Sequence, residues 1–545
     1  MGSSRLILLL LIVAACGGTE RFPLREPMLR DADERTFNPA PDEYVSPFAW
    51  DAANQTIFRP ISRFFAVDPA GRAINVNAFD EVPDSSWFVN RLGTTDMTAE
   101  EIAVGSCGDQ VLSVDAEPGS WIIDQGKPNG ANPGFRVNIP GLGKFLLKAD
   151  PAGEPERATG ATAIATRIYH AVGFYAPCDS VVHFDPKLLS LKPGLKFTDN
   201  SGISRAFDQK ALDRLLSRAS HRDGLVRMGA SRWLPGKPLG PYRYEGTRGD
   251  DPNDVVAHED RRELRGARLL AAWLNHFDSR EQNTMDIWVS DNPKDEKAPG
   301  FVRHYILDLG DCFGSVWASD HISRRLGHAY YFDFPYFVGD LATLGMISRP
   351  WDRAQQTGGI FNYFSSRDFD PEAWRGGYPN PAFMRMTESD GAWMARILAN
   401  FDEPKIRAAV SVGQYTEVAS RYLTQTLLLR RQAILERYLT RLSPISQLNL
   451  QGDRLCGTDL ARAHGVVPDE GQSFAAQAWR GEESRPQRIF TGPGGKLCVE
   501  LDRKADQDSY VVVEIANGYA EGLLRAHLYD LGAGRGYKLV GIERN

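Results

Sequence analysis

The chain has 545 residues, 42% apolar and 24% charged, an ordinary globular composition long enough for at least two domains with large cores. Its net charge is -7, and the basic residues are scattered rather than gathered into a stripe, which argues against a nucleic-acid partner.

At the N-terminus Arg5 precedes the ten-residue apolar run Leu6 to Ala15, and Cys16 follows. Such a run falls well short of the roughly 20 residues needed to cross a bilayer, and small residues precede the cysteine, so residues 1–15 are predicted to be a signal peptide rather than a span. Val13-Ala14-Ala15-Cys16 resembles the lipobox of bacterial lipoproteins. The resemblance implies cleavage before Cys16, a lipid on its sulfur, and a membrane-anchored place in the cell envelope. Gly17, not Asp, follows the cysteine, and the family's sorting rule then implies the outer membrane. The remaining cysteines are Cys107, Cys178, Cys312, Cys456 and Cys498. An oxidising compartment permits disulfides, the odd count leaves one thiol free, and Cys456 with Cys498 is the expected pair.

Residues 16–47 are polar, rich in proline and without apolar periodicity, and are read as a tether. Residues 48–109 mix short apolar runs with turns and a short helix near 97–104, an ordered extension. The next stretch is rich in β-prone runs: SWIIDQ, FRVNI and GKFLLKAD, separated by turn residues, predict a small antiparallel sheet. In ATGATAIATRIYHAVGF, Ala161, Ile164, Ala165, Ile168, Tyr169 and Val172 follow the spacing of one helix face, and Gly173 suits its end. SVVHF, a helix over 209–219, and LVRMGASRWLPGKPLGPYRY as strands broken by a Pro/Gly turn complete this region.

Residues 246–446 are mainly helical. They include a helix over 263–275 and a long one with Tyr415, Val418, Tyr422, Leu427, Ile434 and Tyr438 near one face, stopped by Pro444. Residues 447–545 read as a small β domain, in which the GAGRG of Gly532 to Gly536 is a hairpin turn, because a phosphate loop would have to open a helix. Trp273 and Trp288 are read as core aromatics, and DDPND, Asp250 to Asp254, as a solvated loop. The fold class is α+β.

Between the helix at 263–275 and the β-prone runs after it, His276, Asp278 and Asn283 stand as HxDxxxxN, and Asp308-Leu309-Gly310 closes the second run as DxG. These residues resemble the catalytic loop and metal-binding turn of the protein-kinase-like superfamily, above all its atypical branches: the HipA toxin kinases, the CotH spore-coat kinases and the phosphoinositide kinases. The resemblance spans residues 110–440 or so. It implies a two-lobed domain, with a β-rich N-lobe over 110–245 and a helical C-lobe over 246–446, that uses ATP and Mg²⁺ to phosphorylate an unspecified acceptor.

By that resemblance Asp278 orients or deprotonates the acceptor, Asn283 and Asp308 hold Mg²⁺, and Lys148 contacts the nucleotide phosphates. The Gly-rich turn from Gly126 through Gly130 to Gly134 would cover them. The family pairs its lysine with a glutamate on the following helix, but here the helix interior offers Thr162 and no acid, so Glu156 or Glu154 near its start is the candidate. Two alternatives stand beside this reading. ATP is scarce outside the cytoplasm, so the chain could be a kinase-like scaffold without turnover. His276, Asp278, His304, Asp308 and Asp311 could instead form a metal-dependent hydrolase site, which requires His276 and His304 to approach one metal.

Overall fold

The computed structural model describes residues 21–45, 48–59, 61–62, 71–108, 112–127, 132–150, 153–198, 203–292, 295, 297–314, 320–356, 359–471, 473–502, 509–532 and 534–544. The predicted signal peptide, Cys16 and Gly130 lie outside the described residues. The fold is a mixture of helices and several separate sheets. Among the described residues no helix is long and apolar enough to cross a membrane.

Residues 21–45 form no regular element, yet they are not the free tether expected of them. Phe22 packs on His527 at 4.8 Å and its amide donates to Tyr510 Oη at 2.9 Å. Asp33 is buried and accepts from the Ser86 amide and hydroxyl. Phe37 and Gly300 exchange backbone hydrogen bonds of 2.8 and 3.1 Å. The prolines forbid a helix but not an extended path over the body, where buried partners hold the chain.

Helix α1, Ala99–Val104, starts where Thr98 and Glu101 form a capping box. Strands β1 (Trp121–Lys127), β2 (Gly134–Ile139) and β3 (Gly143–Lys148) follow, then helix α2 (Arg157–Val172), β4 (Asp179–Phe184), β5 (Leu189–Leu191), helix α3 (Gln209–Leu216), β6 (Ser220–Arg222) and β7 (Leu225–Arg232). They build a seven-stranded sheet in the order β4-β7-β3-β2-β1-β5, with β6 beside β7. Alternate residues Trp121, Ile123, Phe135, Val137, Phe145 and Leu147 face one way and pack with Leu212 and Leu215 of α3. Helix α2 is buried around nearly all of its surface.

Strand β8 (Lys237–Pro238), helix α4 (Arg262–Leu274) and strands β9 (Thr284–Ser290) and β10 (Gly300–Ile306) come next, with β8, β9 and β10 in one sheet. Helices α5 (Glu388–Leu398), α6 (Glu403–Ser411) and α7 (Glu417–Tyr438) share the largest core with α2 and α4, including Ile164, Ile168, Trp273, Trp393, Leu427 and Ile434. Val418, read as part of the buried face of α7, is 75% exposed. It precedes Leu427 by nine positions, which at about 100° per residue places the two on opposite sides of the helix.

The remaining strands form a four-stranded sheet, which begins with Ile445–Gln451 and Arg454–Asp459, and a five-stranded sheet, which ends with Leu524–Asp530 and Tyr537–Arg544. Ile445, Leu455, Val499, Val513 and Ala526 belong to their common core. The GAGRG segment joins the last two strands, which pair antiparallel, so it sits at a hairpin turn. Cys456 and Cys498, opposite each other on paired strands, form a disulfide, and so do Cys107 and Cys178; Cys312 is free and buried. Trp273 and Trp288 are both buried. The DDPND segment is not a solvated loop: Asp251 and Asp254 are buried, and Asp254 accepts from His258 Nε2 at 2.7 Å and from Arg261 Nη2 at 3.3 Å. His258 and Arg261 fold over Asp254, and the hydrogen bonds they donate offset the cost of burying its carboxylate.

Candidate functional site

Helix α4 stops because Asn275 takes the left-handed conformation, φ 52°, and the chain then enters the loop that carries HxDxxxxN. His276 is buried. Its Nδ1 lies 2.8 Å from Tyr169 Oη on α2, its Nε2 3.6 Å from Asp311 Oδ1, and burial drives its pKa down to about 4. The imidazole is therefore a neutral strut between α2 and the loop, not a charged participant.

Asp278 is fixed at both its main chain and its carboxylate. Its amide donates to Asp311 Oδ2 at 2.9 Å. Asn283 Nδ2 donates to both the carbonyl and Oδ2 of Asp278, at 2.8 and 2.9 Å, while Arg280 Nε lies 3.1 Å from Oδ1. Burial pushes the Asp278 carboxyl up to about 6 against the pull of the Arg280 charge. The same burial raises Asp311 to about 7. Arg280 also lies over the Tyr378 ring at 4.8 Å and 3.5 Å from Asp51, and Arg59 pairs with Glu281 at 2.8 Å. The N-terminal extension thus grips the loop beside Asp278.

Asp308 follows β10 in the left-handed region, φ 53°, a conformation that Asp tolerates better than most residues. The turn sits against α2: a Cβ on Gly310 would lie 3.0 Å from Thr162 Oγ1. The Leu307 amide donates to the Asn283 carbonyl at 2.8 Å, which locks the DxG turn to the HxDxxxxN loop. Across the cleft, Lys148 Nζ at the end of β3 lies 2.8 Å from Asp308 Oδ1. That ammonium holds the Asp308 carboxyl below its usual range. Burial works against the Lys148 charge, but the Asp308 carboxylate outweighs it and raises the lysine above its usual value.

Lys148 and Asp308 line a cleft of about 280 Å³ between the sheet and α2, together with Lys127, Thr162, Asp179 and Ser231. Asp179 is buried with Thr166 Oγ1 at 3.3 Å, and burial raises its pKa. Sequence reading passed over it, although an acid opening the apolar strand DSVVHF is an anomaly that could have flagged it. Asn283 spends its amide hydrogens on Asp278 and Asp308 spends one oxygen on Lys148. This leaves Asn283 Oδ1 and Asp308 Oδ2, two hard oxygen donors on turns joined by the Leu307 amide, without a hydrogen bond among the described residues.

The other expected residues are placed differently. Glu156 pairs with Arg222 at 2.6 Å rather than with Lys148. Gly126 lies on β1 against the Phe207 ring, where a Cβ would come within 2.5 Å of a ring carbon, so its lack of a side chain serves packing. His304 is buried, 2.6 Å from Asp286 and stacked on Trp87 at 3.4 Å. His276 and His304 therefore have separate partners, and among the described residues no three His, Cys, Asp or Glu side chains are grouped to hold a metal. A wider cleft of about 550 Å³ is lined by Tyr336, Trp351, Trp374 and Tyr378, and its lining meets the loop where Asn380 donates to the Ser279 carbonyl at 3.3 Å and Arg280 lies over the Tyr378 ring. No protein-family model matches the chain, and neither does any curated protein or solved structure.

Proposed function

We propose that the chain is an exported, lipid-anchored protein with an atypical kinase-like domain that transfers a phosphoryl group from ATP. The observation that carries this reading is the 2.8 Å contact of Lys148 with Asp308, next to a loop in which Asn283 holds Asp278 by two hydrogen bonds. The N-lobe would be 110–245 and the C-lobe 246–446. Asp278, with its pKa near 6, is ionised at neutral pH and placed to orient an acceptor hydroxyl or take its proton. Lys148 binds phosphate oxygens, and Asn283 and Asp308 hold Mg²⁺ by their uncommitted oxygens. Bound Mg²⁺ supplies neutralisation of charge on the β and γ phosphates. The wider cleft, whose Tyr378 and Asn380 contact Arg280 and Ser279 of the same loop, is the candidate place for an acceptor. Export is supported by the residues around Cys16 and by the two disulfides, which suit an oxidising compartment.

Calorimetric titration of the mature chain with ATP and Mg²⁺, beside Lys148→Ala and Asp308→Ala, tests the site. Magnesium-dependent binding lost in both variants is expected; no binding by the unaltered chain overturns the nucleotide site. The engagement of Glu156 by Arg222 favours one competing reading, a kinase-like scaffold without turnover. Nucleotide binding with no transfer to any acceptor or to water would select it.

A further inference from the structure

Helix Phe334–Ala342 buries none of its nine residues. Within it and just beyond it, Phe334, Phe337, Val338, Leu341, Leu344, Met346 and Ile347 are all exposed, Leu341 to 67%, Leu344 to 85% and Met346 to 81%. Single exposed apolar side chains are ordinary, but a continuous run of large ones marks a surface that meets something apolar. The charges within the run are neutralised: Asp333 pairs with Arg375 at 2.9 Å and Asp340 with Arg349 at 2.8 Å. No lysine or glutamate lies between Asp333 and Arg349. Phenylalanine rings and aliphatic side chains on this helix and the turn after it, with the nearby acids paired, leave a surface with little uncompensated charge to oppose its entry into an apolar layer.

The length of the leash decides the occupant. Cys16 stands five residues before Arg21, where the described chain begins, and five extended residues reach at most about 18 Å. From there the chain is already pinned to the body through Phe22, Asp33 and Phe37. A lipid on Cys16 therefore keeps the folded body at the bilayer surface, which raises the effective concentration of lipid for an exposed apolar helix. We propose that residues 332–347 dock on the lipid bilayer as a second membrane contact. The proposal rests on the lipid-anchored reading of Cys16 and is independent of phosphotransfer.

The test uses the mature chain with Cys16→Ser, which carries no lipid, in co-sedimentation with vesicles of phosphatidylethanolamine and phosphatidylglycerol. Binding is expected, weakened about tenfold or more by Leu341→Glu with Leu344→Glu, because two apolar side chains then carry charge. Both positions are exposed enough to accept glutamate without disturbing the fold, and Leu341→Phe with Leu344→Phe should bind as the parent does. Failure of the parent to sediment, equal sedimentation of the glutamate variant, or a variant-sensitive dimer without vesicle binding would each overturn the proposal. Incorporation of labelled palmitate into the full chain reads the anchor separately from the helix.

Discussion

Asp278 lies between one cation and one acid, and its behaviour follows from their balance. Arg280 lowers its pKa and Asp311 raises it, on top of the dominant effect of burial. A base works only when ionised, so any transfer activity should rise with pH through an apparent value near 6 and fall below it. Asp278 and Asp311 interact, so that value belongs to the pair. Removing the nearby cation with Arg280→Ala should move the limb to higher pH, whereas Asp278→Ala should cost ~100-fold in rate above the limb and progressively less below it. A pH-rate profile of the three proteins reads both effects, and an unmoved limb in Arg280→Ala would exclude Asp278 as its source. The spacing of His276, Asp278 and Asn283 was legible in the sequence because all three lie on one loop. The partner of Lys148 was not, because Lys148 and Asp308 are 160 residues apart.

Helix α2 carries the turn of Asp308 on one side and, on another, Tyr415 in the segment that leads into α7, and a single glycine permits the second contact. A Cβ on Gly160 would lie 2.4 Å from Tyr415 Cζ. The ring cannot easily give way, because its hydroxyl donates to the Arg157 carbonyl at 2.8 Å. Gly160→Ala gains up to ~1 kcal/mol in helix propensity but incurs overpacking of ~1–3 kcal/mol and endangers a hydrogen bond of ~1 kcal/mol. The net should be destabilisation by about 1–3 kcal/mol, seen as a lower urea midpoint; an unchanged or higher midpoint would show that the ring can move. At this scale periodicity located α2, α4 and α7 and the strands β1 to β4. It misplaced Val418 because an apolar residue in the first turn of a long helix need not share the face of its later turns.

At the scale of the molecule, Asp80 joins its own segment to three distant ones. Its side chain receives Arg262 of α4, Arg396 of α5 at 3.2 Å and Arg544 of the last strand at 2.9 Å, and these charges together hold its pKa well below the usual range despite its burial. Asp80→Ala leaves three arginines without their common anion, so a loss of about 3–5 kcal/mol is expected in chemical denaturation at pH 7. A depressed carboxyl stabilises the fold above its unfolded pKa of about 3.9 and loses that contribution as pH falls towards its folded value. The gap between parent and variant should therefore narrow in acid, and a gap constant from pH 7 down to pH 2 would refute the ionic origin of the effect.

Local signals in this protein are those of pitch and spacing: the apolar run before Cys16, the alternation of β1 to β3, the helix faces, HxDxxxxN and DxG. Each depends on residues close in the chain, so the sequence alone determines it. The tertiary structure decided the rest. Only it shows that Glu156 turns to Arg222, that Asp254 and His304 are buried in pairs, that residues 21–45 lie on the body, and that Cys107 meets Cys178 across a separation of 71 residues. The reason is physical: the pitch of a helix or strand is set by its own backbone, whereas the partner of a charge or thiol is set by which distant segments the packed core brings within a few ångströms.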